Sequence, residues 1–361
     1  MKVAIVLGTR PEIIRLSKVV ERLDAASDLV LVHTGQNFDP ALSDVFFAEL
    51  GVRAPDHRLA IEGEGFAARV SAILAAIHVL FERDRPDRLL VLGDTDSAMS
   101  AYVAKRMGIP VLHMEAGNRC FDDRVPEEVN RRIIDQASDV LLPYTERSRE
   151  HLLREGYHPS RVLTIGNPIK EVLDAHAERI ESSGALGELG VRAGEYLLLT
   201  LHRQETVDFD ERLTSLLGEV CEAADELGLP VIFSVHPRTR ERLERLGLNR
   251  PPLRPCEPFG YFDFVALERD ARCVLTDSGT VQEECCIMRV PAVTVRDTTE
   301  RPETVECGSN VLSGVGVGGV SAALRLACER PTDWRIPPEY EVANVSSVVA
   351  AIVVGGRLPG A

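Results

Sequence analysis

Carboxylates stand within two residues of the ends of short apolar runs that have the composition of buried β-strands. Asp94 follows the run Arg88–Leu92, and Glu115 follows Val111–Met114. The carboxyl ends of parallel strands meet at one edge of a sheet, so both side chains are expected at that edge. Glu127 adds a third carboxylate on a predicted helix. A helix N-cap or a surface ion pair is the alternative for each carboxylate alone, but three together favour a functional site.

Arg10 stands where a predicted strand turns into a helix. The sequence Gly8-Thr9-Arg10-Pro11-Glu12 places a proline near the first helical position, where its missing N–H costs nothing. A helix N-terminus and a guanidinium together make an anion site, which suits a diphosphate. The alternative is an ordinary turn with a surface arginine. The turn lacks the Gly-x-Gly-x-x-Gly pattern of dinucleotide-binding proteins.

The second half of the chain carries polar residues in the same kind of position. His202 follows a predicted strand and is either structural or functional. Ser278 begins a helix whose backbone N–H groups can bind a phosphate, and Glu284, about two turns further, can pair with a ribose diol. Phe264 offers a ring for a base to stack on, with burial in the core as the alternative. The charged run 296–303 follows another strand, and a solvated loop is its alternative.

These residues depend on an alternation of strands and helices that is typical of parallel α/β architecture. The first predicted strands are Lys2–Leu7, Leu29–His33, Arg88–Leu92, Val111–Met114, Val140–Leu142 and Val162–Ile165. The second series is Tyr196–Leu201, Val231–Val235, Cys273–Leu275 and Ala292–Val295. Predicted helices include Pro11–Leu23, Phe66–Phe81 and Arg212–Leu227. The sequence therefore predicts an α/β fold with two Rossmann-like domains.

The boundary between the domains is predicted at the sequence Gly166-Asn167-Pro168. Residues 1–167 form the N-terminal domain with the carboxylates, and residues 168–344 form the C-terminal domain. A helix over Ile169–Ile180 crosses between them. Residues 345–361 contain a terminal helix that packs back on the N-terminal domain. The length of 361 residues fits two domains of ordinary size.

Composition excludes several classes of protein. Lys and Arg total 41 against 56 Asp and Glu, a formal net charge of −15, whereas nucleic-acid binders carry a basic stripe. The opening apolar run is too short for a signal peptide, and Val348–Val354 is too short for a membrane span. We therefore expect a cytoplasmic protein with neither a nucleic-acid nor a membrane partner. The eight cysteines lack zinc-site spacing, which favours buried reduced thiols.

The order of these motifs resembles that of the non-hydrolysing UDP-N-acetylglucosamine 2-epimerases over nearly the whole chain. Seven motifs coincide: Gly8–Glu12, Gly93–Thr95, His113–Gly117, Pro126–Arg131, His202–Glu205, Asp277–Glu284 and Arg296–Glu303. The resemblance implies two Rossmann-like domains in the glycosyltransferase-B arrangement, with the active site in the interdomain cleft. It also implies that the second domain holds most of the UDP and that the protein is a homodimer.

The residue roles of the family carry over onto matching positions of this chain. Asp94, Glu115 and Glu127 are implied as catalytic acids and bases, together with His202. The other implied substrate ligands are Arg10, Arg131, Phe264, Ser278, Gly279, Thr280, Glu284 and Arg301. The family inverts C2 of the sugar by eliminating UDP to a glycal and adding it back on the other face. The resemblance implies neither a nicotinamide cofactor nor a metal.

The types of residue suit that chemistry. A C2 proton beside an amide-bearing carbon is not acidic, so departure of UDP must lead and build positive charge at C1. Cations at Arg10 and His202 would stabilise the leaving diphosphate. Carboxylates would act as base on one face of the sugar and as acid on the other.

Several positions depart from the usual family pattern and bear on the sugar. Gln36-Asn37-Phe38-Asp39 stands where the family has Gln-His-Arg-Glu in a regulatory site, and Arg15 stands where lysine is frequent. Together with Glu115–Asp122, the segment His33–Asp39 resembles the capsule-pathway branch that forms UDP-N-acetyl-L-fucosamine. We therefore predict UDP-2-acetamido-2,6-dideoxy-L-talose as the substrate, because a pocket that leaves a 6-hydroxyl unpaired discriminates against that group. UDP-N-acetylglucosamine, epimerised to UDP-N-acetylmannosamine, is the alternative.

Three other functions share parts of the pattern. A UDP-sugar glycosyltransferase of the same fold would need the same UDP pocket, and Asp94-Thr95-Asp96 matches the Asp-x-Asp sequence with which some of them hold a metal-bound nucleotide sugar. Neither that enzyme nor a nucleotide-sugar sensor would need three opposed carboxylates. A hydrolysing epimerase would release free sugar and UDP, and Pro11-Glu12 fits the non-hydrolysing pattern better.

Overall fold

Parallel strands and helices alternate along the chain in the computed structural model, which describes residues 1–36, 40–61, 65–235, 237–314, 316, 318–356 and 358. The side chains of residues 40–43, 204, 205, 237 and 238 lie outside this description. The chain divides into two units, Met1–Ala175 with Glu339–Ala361 and His176–Pro338.

Each unit contains one parallel sheet. The strands of the first unit are β1 (Lys2–Leu7), β2 (Asp28–His33), β3 (His57–Arg58), β4 (Arg88–Leu92), β5 (Val111–Met114) and β6 (Val140–Leu142). Those of the second unit are β7 (Leu197–Thr200), β8 (Val231–Ser234), β9 (Leu253–Cys256), β10 (Cys273–Thr276), β11 (Ala292–Thr294) and β12 (Asn310–Leu312). The strand order β3-β2-β1-β4-β5-β6 recurs as β9-β8-β7-β10-β11-β12. This is the Rossmann order, so the predicted fold class of two Rossmann-like units is confirmed.

Helices form the crossovers between the strands. The first helices are α1 (Arg10–Ala26), α2 (Pro40–Glu49), α3 (Phe66–Asp84), α4 (Ser100–Arg106), α5 (Pro126–Ala137), α6 (Glu146–Arg154) and α7 (Ile169–Ala175). They are followed by α8 (Ala177–Glu181), α9 (Ala185–Leu189), α10 (Gln204–Val207), α11 (Asp210–Leu227), α12 (Pro237–Arg245), α13 (Tyr261–Arg269), α14 (Gly279–Met288), α15 (Pro302–Glu306), α16 (Gly319–Glu329) and α17 (Val345–Val354). Short 3-10 helices span Ser97–Met99, Pro159–Arg161 and Pro338–Tyr340.

The strands in the middle of each sheet are buried on both faces. In β1, Val3 to Leu7 are all fully buried, and β1 pairs with β2 from Lys2–Asp28 to Leu7–His33. Apolar residues of α3 and α4 cover one face of the first sheet. In the second unit, α11 and α16 cover one face, and α13 and α14 cover the other. Such two-sided burial explains why these strands are continuous apolar runs in the sequence.

The structure adds strands at the sheet edges and removes one predicted strand. The missed strands β3, β9 and β12 are short, partly exposed edge strands without a strong apolar signal. The predicted strand Val162–Ile165 is wrong, since only an isolated bridge joins Val162 to Leu141. The predicted helix Ile169–Ile180 is divided into α7 and α8 at His176.

The first unit extends beyond residue 167, where the sequence placed the boundary. The reason is that α7 packs against α1 and therefore stays with the first sheet. The terminal helix α17 also packs against α1. The Glu171 carboxylate in α7 accepts a hydrogen bond from the Ser346 N–H at 2.8 Å, which caps the start of α17. Within the described ranges, none of these helices is long and apolar enough to span a bilayer.

Candidate active site

The loop between β1 and α1 is closed by a capping box. Glu12 Oε2 accepts hydrogen bonds from the Gly8 N–H at 2.9 Å, the Thr9 N–H at 2.8 Å and the Thr9 hydroxyl at 2.8 Å. A Cβ atom at Gly8 would lie 2.1 Å from Thr34 Oγ1 and 2.3 Å from Ser97 Oγ. The loops after β1, β2 and β4 therefore meet at Gly8, where no side chain fits.

Glu12 also connects this loop to the neighbour of Asp94. The Thr95 hydroxyl donates to Glu12 Oε1 at 2.9 Å, so one carboxylate contacts the loops after both β1 and β4. Glu12 is 1% exposed. Its burial raises the pKa of the carboxyl group to about 7, although the hydrogen bonds it accepts favour the charged form.

Asp94 follows β4 and forms an ion pair with Arg131 of α5. Arg131 is buried and also donates to Glu128 Oε2 at 3.0 Å and to the Asn118 carbonyl at 3.3 Å. The Asn130 amide holds the Asp94 carbonyl at 3.0 Å. Helix α5 therefore fixes both the backbone and the side chain of Asp94.

Glu115 follows β5, the neighbour of β4, and is 3% exposed. It forms an ion pair with Arg15 of α1 and accepts a hydrogen bond from the Asn118 amide at 3.4 Å. The backbone of Glu115 is left-handed, with φ of 67°. A non-glycine residue held in that conformation stores strain, and such strain is concentrated at functional sites. Two ion-paired carboxylates thus stand at adjacent strand ends.

A buried charge network lies beside these two strand ends. His113 is fully buried, with Nδ1 2.8 Å from Asp135 Oδ1 and Nε2 2.8 Å from the Gly93 carbonyl. The Asp135 carboxylate and the Gly93 carbonyl therefore hold the ring of His113 at both nitrogens. Arg119 donates to Asp135 Oδ2 at 2.7 Å. Burial opposes ionisation of Asp135, but the hydrogen bond and charge of His113, with those of Arg119, keep its pKa below the ordinary value.

The other predicted residues of the first unit occupy helix N-termini. Glu127 is half-buried in the first turn of α5, one turn before Arg131. Arg10 begins α1, with its guanidinium carbon 5.6 Å from the centre of the Phe46 ring. Burial lowers the pKa of Arg10, but an arginine keeps its charge in proteins.

In the second unit, a buried carboxylate organises the loop after β7. Asp277 Oδ2 accepts hydrogen bonds from the backbone N–H of His202 at 3.0 Å and of Arg203 at 2.9 Å. His202 Nδ1 lies 2.9 Å from Asp277 Oδ1, and the His202 side chain is 47% exposed. Burial favours the neutral form of Asp277, but the charge and hydrogen bond of His202 and the two N–H groups keep its pKa below the ordinary value.

The N-terminus of α14 carries the residues predicted to hold a phosphate. Ser278 is the N-cap and Gly279 the first helical residue, both half-buried, whereas Thr280 is buried. The guanidinium of Arg301 lies over this end, since a Cβ at Gly279 would be 3.4 Å from its Nη2 atom. Arg301, which immediately precedes α15, forms an ion pair with Glu283 of α14. A guanidinium and a helix N-terminus thus combine their positive charge at one point.

Glu284 lies further along α14, and Phe264 lies in α13. Glu284 is 2% exposed and accepts a hydrogen bond from the Tyr261 hydroxyl at 3.2 Å. Phe264 is half-buried and packs against the core formed by α13 and α14. The carboxyl ends of β7 and β10 are thus followed by polar residues, among them His202 and Ser278. Rossmann-like sheets bind their ligands at this edge.

Two segments, residues 33–39 and 115–122, are predicted to bear on the sugar, and the structure describes only part of the first. Asn37 lies outside the described residues. Asn118 is buried, where its side-chain oxygen accepts from the Ser148 hydroxyl at 2.7 Å. Arg119 also turns inward, to Asp135 and to Glu155. In this loop Phe121 is the large exposed side chain, at 67%.

Sequence reasoning missed the residues that position these groups. Glu12, Glu128, His113, Asp135 and Asp277 hold the site loops through hydrogen bonds, and none was predicted as a site residue. Glu12 had a signal, because Thr-x-x-Glu is the spacing of a capping box. The pairs His113–Asp135 and Arg15–Glu115 are distant in sequence and have no such signal. Within the described ranges, no group of three or more His, Cys, Asp or Glu residues is placed to hold a metal.

Comparison with known proteins covers nearly the whole chain. A profile of the family described as UDP-N-acetylglucosamine 2-epimerase matches residues 21–352. The chain is 38% identical over 347 residues to the UDP-N-acetylglucosamine 2-epimerase of Methanocaldococcus jannaschii, with 93% of this chain and 95% of that one covered. It is 37% identical over 323 residues to the UDP-2,3-diacetamido-2,3-dideoxy-D-glucuronate 2-epimerase of Pseudomonas aeruginosa, with 87% and 88% covered.

A solved structure agrees with these sequence matches. The crystal structure of the Methanocaldococcus jannaschii UDP-GlcNAc 2-epimerase in complex with UDP-GlcNAc and UDP matches with a TM-score of 0.93 at 35% identity. The match covers 99% of this chain and 100% of that one.

Proposed function

The chain belongs to the UDP-N-acetylglucosamine 2-epimerase family, and from that premise we propose that it inverts C2 of a UDP-2-acetamido sugar by eliminating UDP and adding it back. As a member of this family the chain is an isomerase. Membership favours epimerisation over the glycosyltransferase alternative, and over the nucleotide-sugar sensor, which would need no catalytic carboxylates.

One observation carries the proposal: Asp94 and Glu115 stand at adjacent strand ends, each in an ion pair with a buried arginine. A carboxylate in an ion pair is deprotonated and can accept a proton. Inversion requires proton removal on one face of the sugar and proton delivery on the other. Glu127 supplies a third carboxyl group in the same unit.

The leaving group in this proposal is the diphosphate of UDP. Its departure builds positive charge at C1, which makes the C2 proton removable. The cations assigned to it are Arg10, Arg301 and His202, together with the N–H groups at the start of α14. Asp277 orients His202 so that its Nε2 atom is available to the substrate. These groups act on charge that grows as the C1–O bond breaks, so they lower the barrier rather than only strengthening substrate binding.

The second unit is assigned to UDP. Ser278, Gly279 and Thr280 would bind phosphate, Glu284 would bind the ribose, and Phe264 would contact the base. Addition of UDP alone should then slow hydrogen exchange in residues 278–284 more than at Asp94 or Glu115. Equal slowing of exchange in both units, or greater slowing at Asp94 and Glu115, would contradict the assignment of UDP to the second unit.

The identity of the sugar in the UDP-sugar substrate is a separate and more specific part of the proposal. The two relatives above are almost equally similar to this chain and carry different sugars in their names. Membership therefore supports C2 inversion of a UDP-2-acetamido sugar more strongly than it supports one sugar. Arg119 turns inward, whereas Phe121 in the same loop is an exposed ring that a 6-methyl group can contact. We take UDP-N-acetylglucosamine as the first substrate to test and UDP-2-acetamido-2,6-dideoxy-L-talose as the second.

A direct comparison decides between the two sugars. The ratio of kcat/KM for the two UDP-sugars is measured under identical conditions, with Phe121→Ala as the informative variant. A preference for the deoxy sugar that Phe121→Ala reduces would support the fucosamine-forming branch. Comparable or better use of UDP-N-acetylglucosamine would reject it. The homodimer and the cytoplasmic location stay predictions.

A further inference from the structure

Glu268, near the end of α13, is a buried carboxyl group for which the proposed function has no use. It is 0% exposed. Within the described part of the chain, no N–H or O–H group donates to either of its oxygens. A carboxylate removed from water without donors is strongly disfavoured, whereas a neutral carboxylic acid is tolerated. The surroundings of Glu268 therefore favour its protonated form.

The group that approaches Glu268 is another carboxyl, that of Glu284 in α14. The two side chains are within hydrogen-bonding reach of each other, and Glu284 is itself 2% exposed. Two carboxyl groups in contact away from water cannot both be ionised, so they share one proton. Burial and the neighbouring Glu284 raise the pKa of Glu268 well above its usual range.

Tyr261 indicates which of the two carries the proton. It lies seven residues before Glu268, on the same face of α13, and its hydroxyl donates to Glu284 Oε1 at 3.2 Å. Glu284 thus has a donor that stabilises a carboxylate, whereas Glu268 has none. A hydrogen bond to the charged form favours that form, so the anion resides on Glu284 and the proton on Glu268.

The described titratable neighbours of Glu268 stay neutral or contact other groups. Cys285 and Tyr196 are both buried, and burial together with the nearby carboxyl groups raises the pKa of each, so they stay neutral. Arg179 of α8 lies over the Phe262 ring, 4.1 Å from its centre. Arg269 donates to the adjacent Asp270. Cys285 and Tyr196 therefore add no charge beside Glu268.

We propose that Glu268 is a protonated carboxylic acid that donates its proton to Glu284 and thereby positions the Glu284 carboxylate to accept hydrogen bonds from a ribose diol. Glu268 is a positioning residue, since it acts on the nucleotide through Glu284. The ribose part rests on the proposed function, in which Glu284 binds UDP. The proton shared by the two carboxyl groups does not depend on any ligand.

Infrared spectroscopy of the ligand-free protein tests the shared proton directly. At pH 8, where an ordinary glutamate is ionised, the wild type should show the C=O stretch of one protonated carboxyl group that Glu268→Gln lacks. Glu244→Gln, at an exposed position of α12, should leave that band unchanged. Identical carbonyl spectra for wild type and Glu268→Gln would overturn the proposal.

The stability of the same variants gives a second readout. A carboxyl group that is neutral when folded and ionised when unfolded makes the folded state bind the extra proton, so wild-type stability falls as pH rises above the ordinary glutamate pKa of about 4.5. Relative to Glu268→Gln, the wild-type unfolding constant should increase by about tenfold per pH unit. Parallel stability profiles from pH 5 to pH 8 would contradict a neutral Glu268.

Nucleotide binding separates this inference from the proposed function. Calorimetry with UDP and 2′-deoxy-UDP should show a preference for UDP that Glu268→Gln keeps within about threefold, because glutamine still donates to Glu284. Glu268→Leu, which cannot donate, should lose at least about tenfold of the UDP affinity and most of that preference. If the wild type does not distinguish the two nucleotides, the ribose role of Glu284 fails while the infrared band persists. If Glu268→Leu binds UDP as the wild type does, the positioning role fails.

Discussion

Asp277 accepts a hydrogen bond from the His202 backbone at 3.0 Å and faces His202 Nδ1 at 2.9 Å. One buried carboxylate therefore fixes both the main chain and the ring of the histidine. Because Nδ1 faces Asp277, the proposed contact of His202 with the substrate would use Nε2. The same arrangement makes His202 depend on a residue 75 positions away in the chain.

Replacing Asp277 by asparagine should reduce both stability and turnover. The charged Asp277 accepts three hydrogen bonds that a single amide oxygen cannot replace, so we expect a loss of about 1–3 kcal/mol at pH 7 and at least a tenfold lower kcat. Since the folded-state pKa of Asp277 lies below its ordinary value of 3.8, its stabilising contribution is present above that pH and is lost as pH falls through the folded pKa.

Urea unfolding at pH 7 and at pH 3 measures this dependence. The difference between wild type and Asp277→Asn should shrink at the lower pH, and Asp225→Asn, at an exposed position of α11, should show no difference at either. A penalty of equal size at both values would mean that Asp277 is not held as a carboxylate.

The three carboxyl groups of the first unit should act in proton transfer and not in nucleotide binding. Asp94→Asn, Glu115→Gln and Glu127→Gln should each lower turnover by at least about a hundredfold while UDP affinity changes by only a few fold. Asp123→Asn is the matched control, because its side chain is 72% exposed in the same unit. Turnover like that of the wild type in any two of the three would remove the acid–base assignment.

Glu12 should make the first unit less stable as pH rises towards 7. Its pKa is raised from 4.5 to about 7 by burial. The folded state therefore binds more protons than the unfolded state between those values, and stability falls across that window. Glu12→Gln, which is neutral throughout, should gain on the wild type by up to about 3 kcal/mol between pH 4.5 and pH 7. Chemical unfolding at several pH values measures the difference in stability between the variant and the wild type. A difference that does not change with pH would show that folding does not raise the pKa of Glu12.

Activity should survive exhaustive treatment with EDTA. In the proposed mechanism, Arg10, Arg301, His202 and the N-terminus of α14 would supply positive charge for the diphosphate, so that chemistry would not require a divalent ion. Turnover is compared before and after chelation, with manganese added back. Loss with chelator and recovery with manganese would favour the interpretation of Asp94-Thr95-Asp96 as the metal-binding sequence of a glycosyltransferase.

The central strands and the positions of the site residues follow from local sequence. Strands β1, β4, β5 and β6 lie at the predicted bounds because each is a continuous apolar run buried on both faces. The one or two residues after each such strand then fall at the carboxyl edge of a sheet, which is where Asp94 and Glu115 are found. The edge strands could not be predicted in this way, since β3 has only two residues and neither is buried.

The contacts that hold the site depend on tertiary structure. The spacing of Glu127 and Arg131 suggests a pair one helical turn apart, and Arg131 forms ion pairs with Glu128 and with Asp94, which is 37 residues away. Arg15 meets Glu115 across 100 residues. Burial also reverses simple expectations about charge: Glu12 and Glu268 look like surface glutamates of helices, but both are buried inside their units. Only the packing of neighbouring elements determines these environments.

The most direct test of C2 inversion by elimination and re-addition is the reaction in heavy water. The enzyme is incubated with UDP-N-acetylglucosamine, and in parallel with the 6-deoxy-L-talose analogue, and C2 of the product is examined by NMR. In the proposed reaction one group removes the C2 proton and another delivers a proton to the opposite face, so the epimer should carry deuterium at C2. An epimer that retains its original C2 hydrogen, or the release of free sugar in place of an epimeric UDP-sugar, would contradict the account.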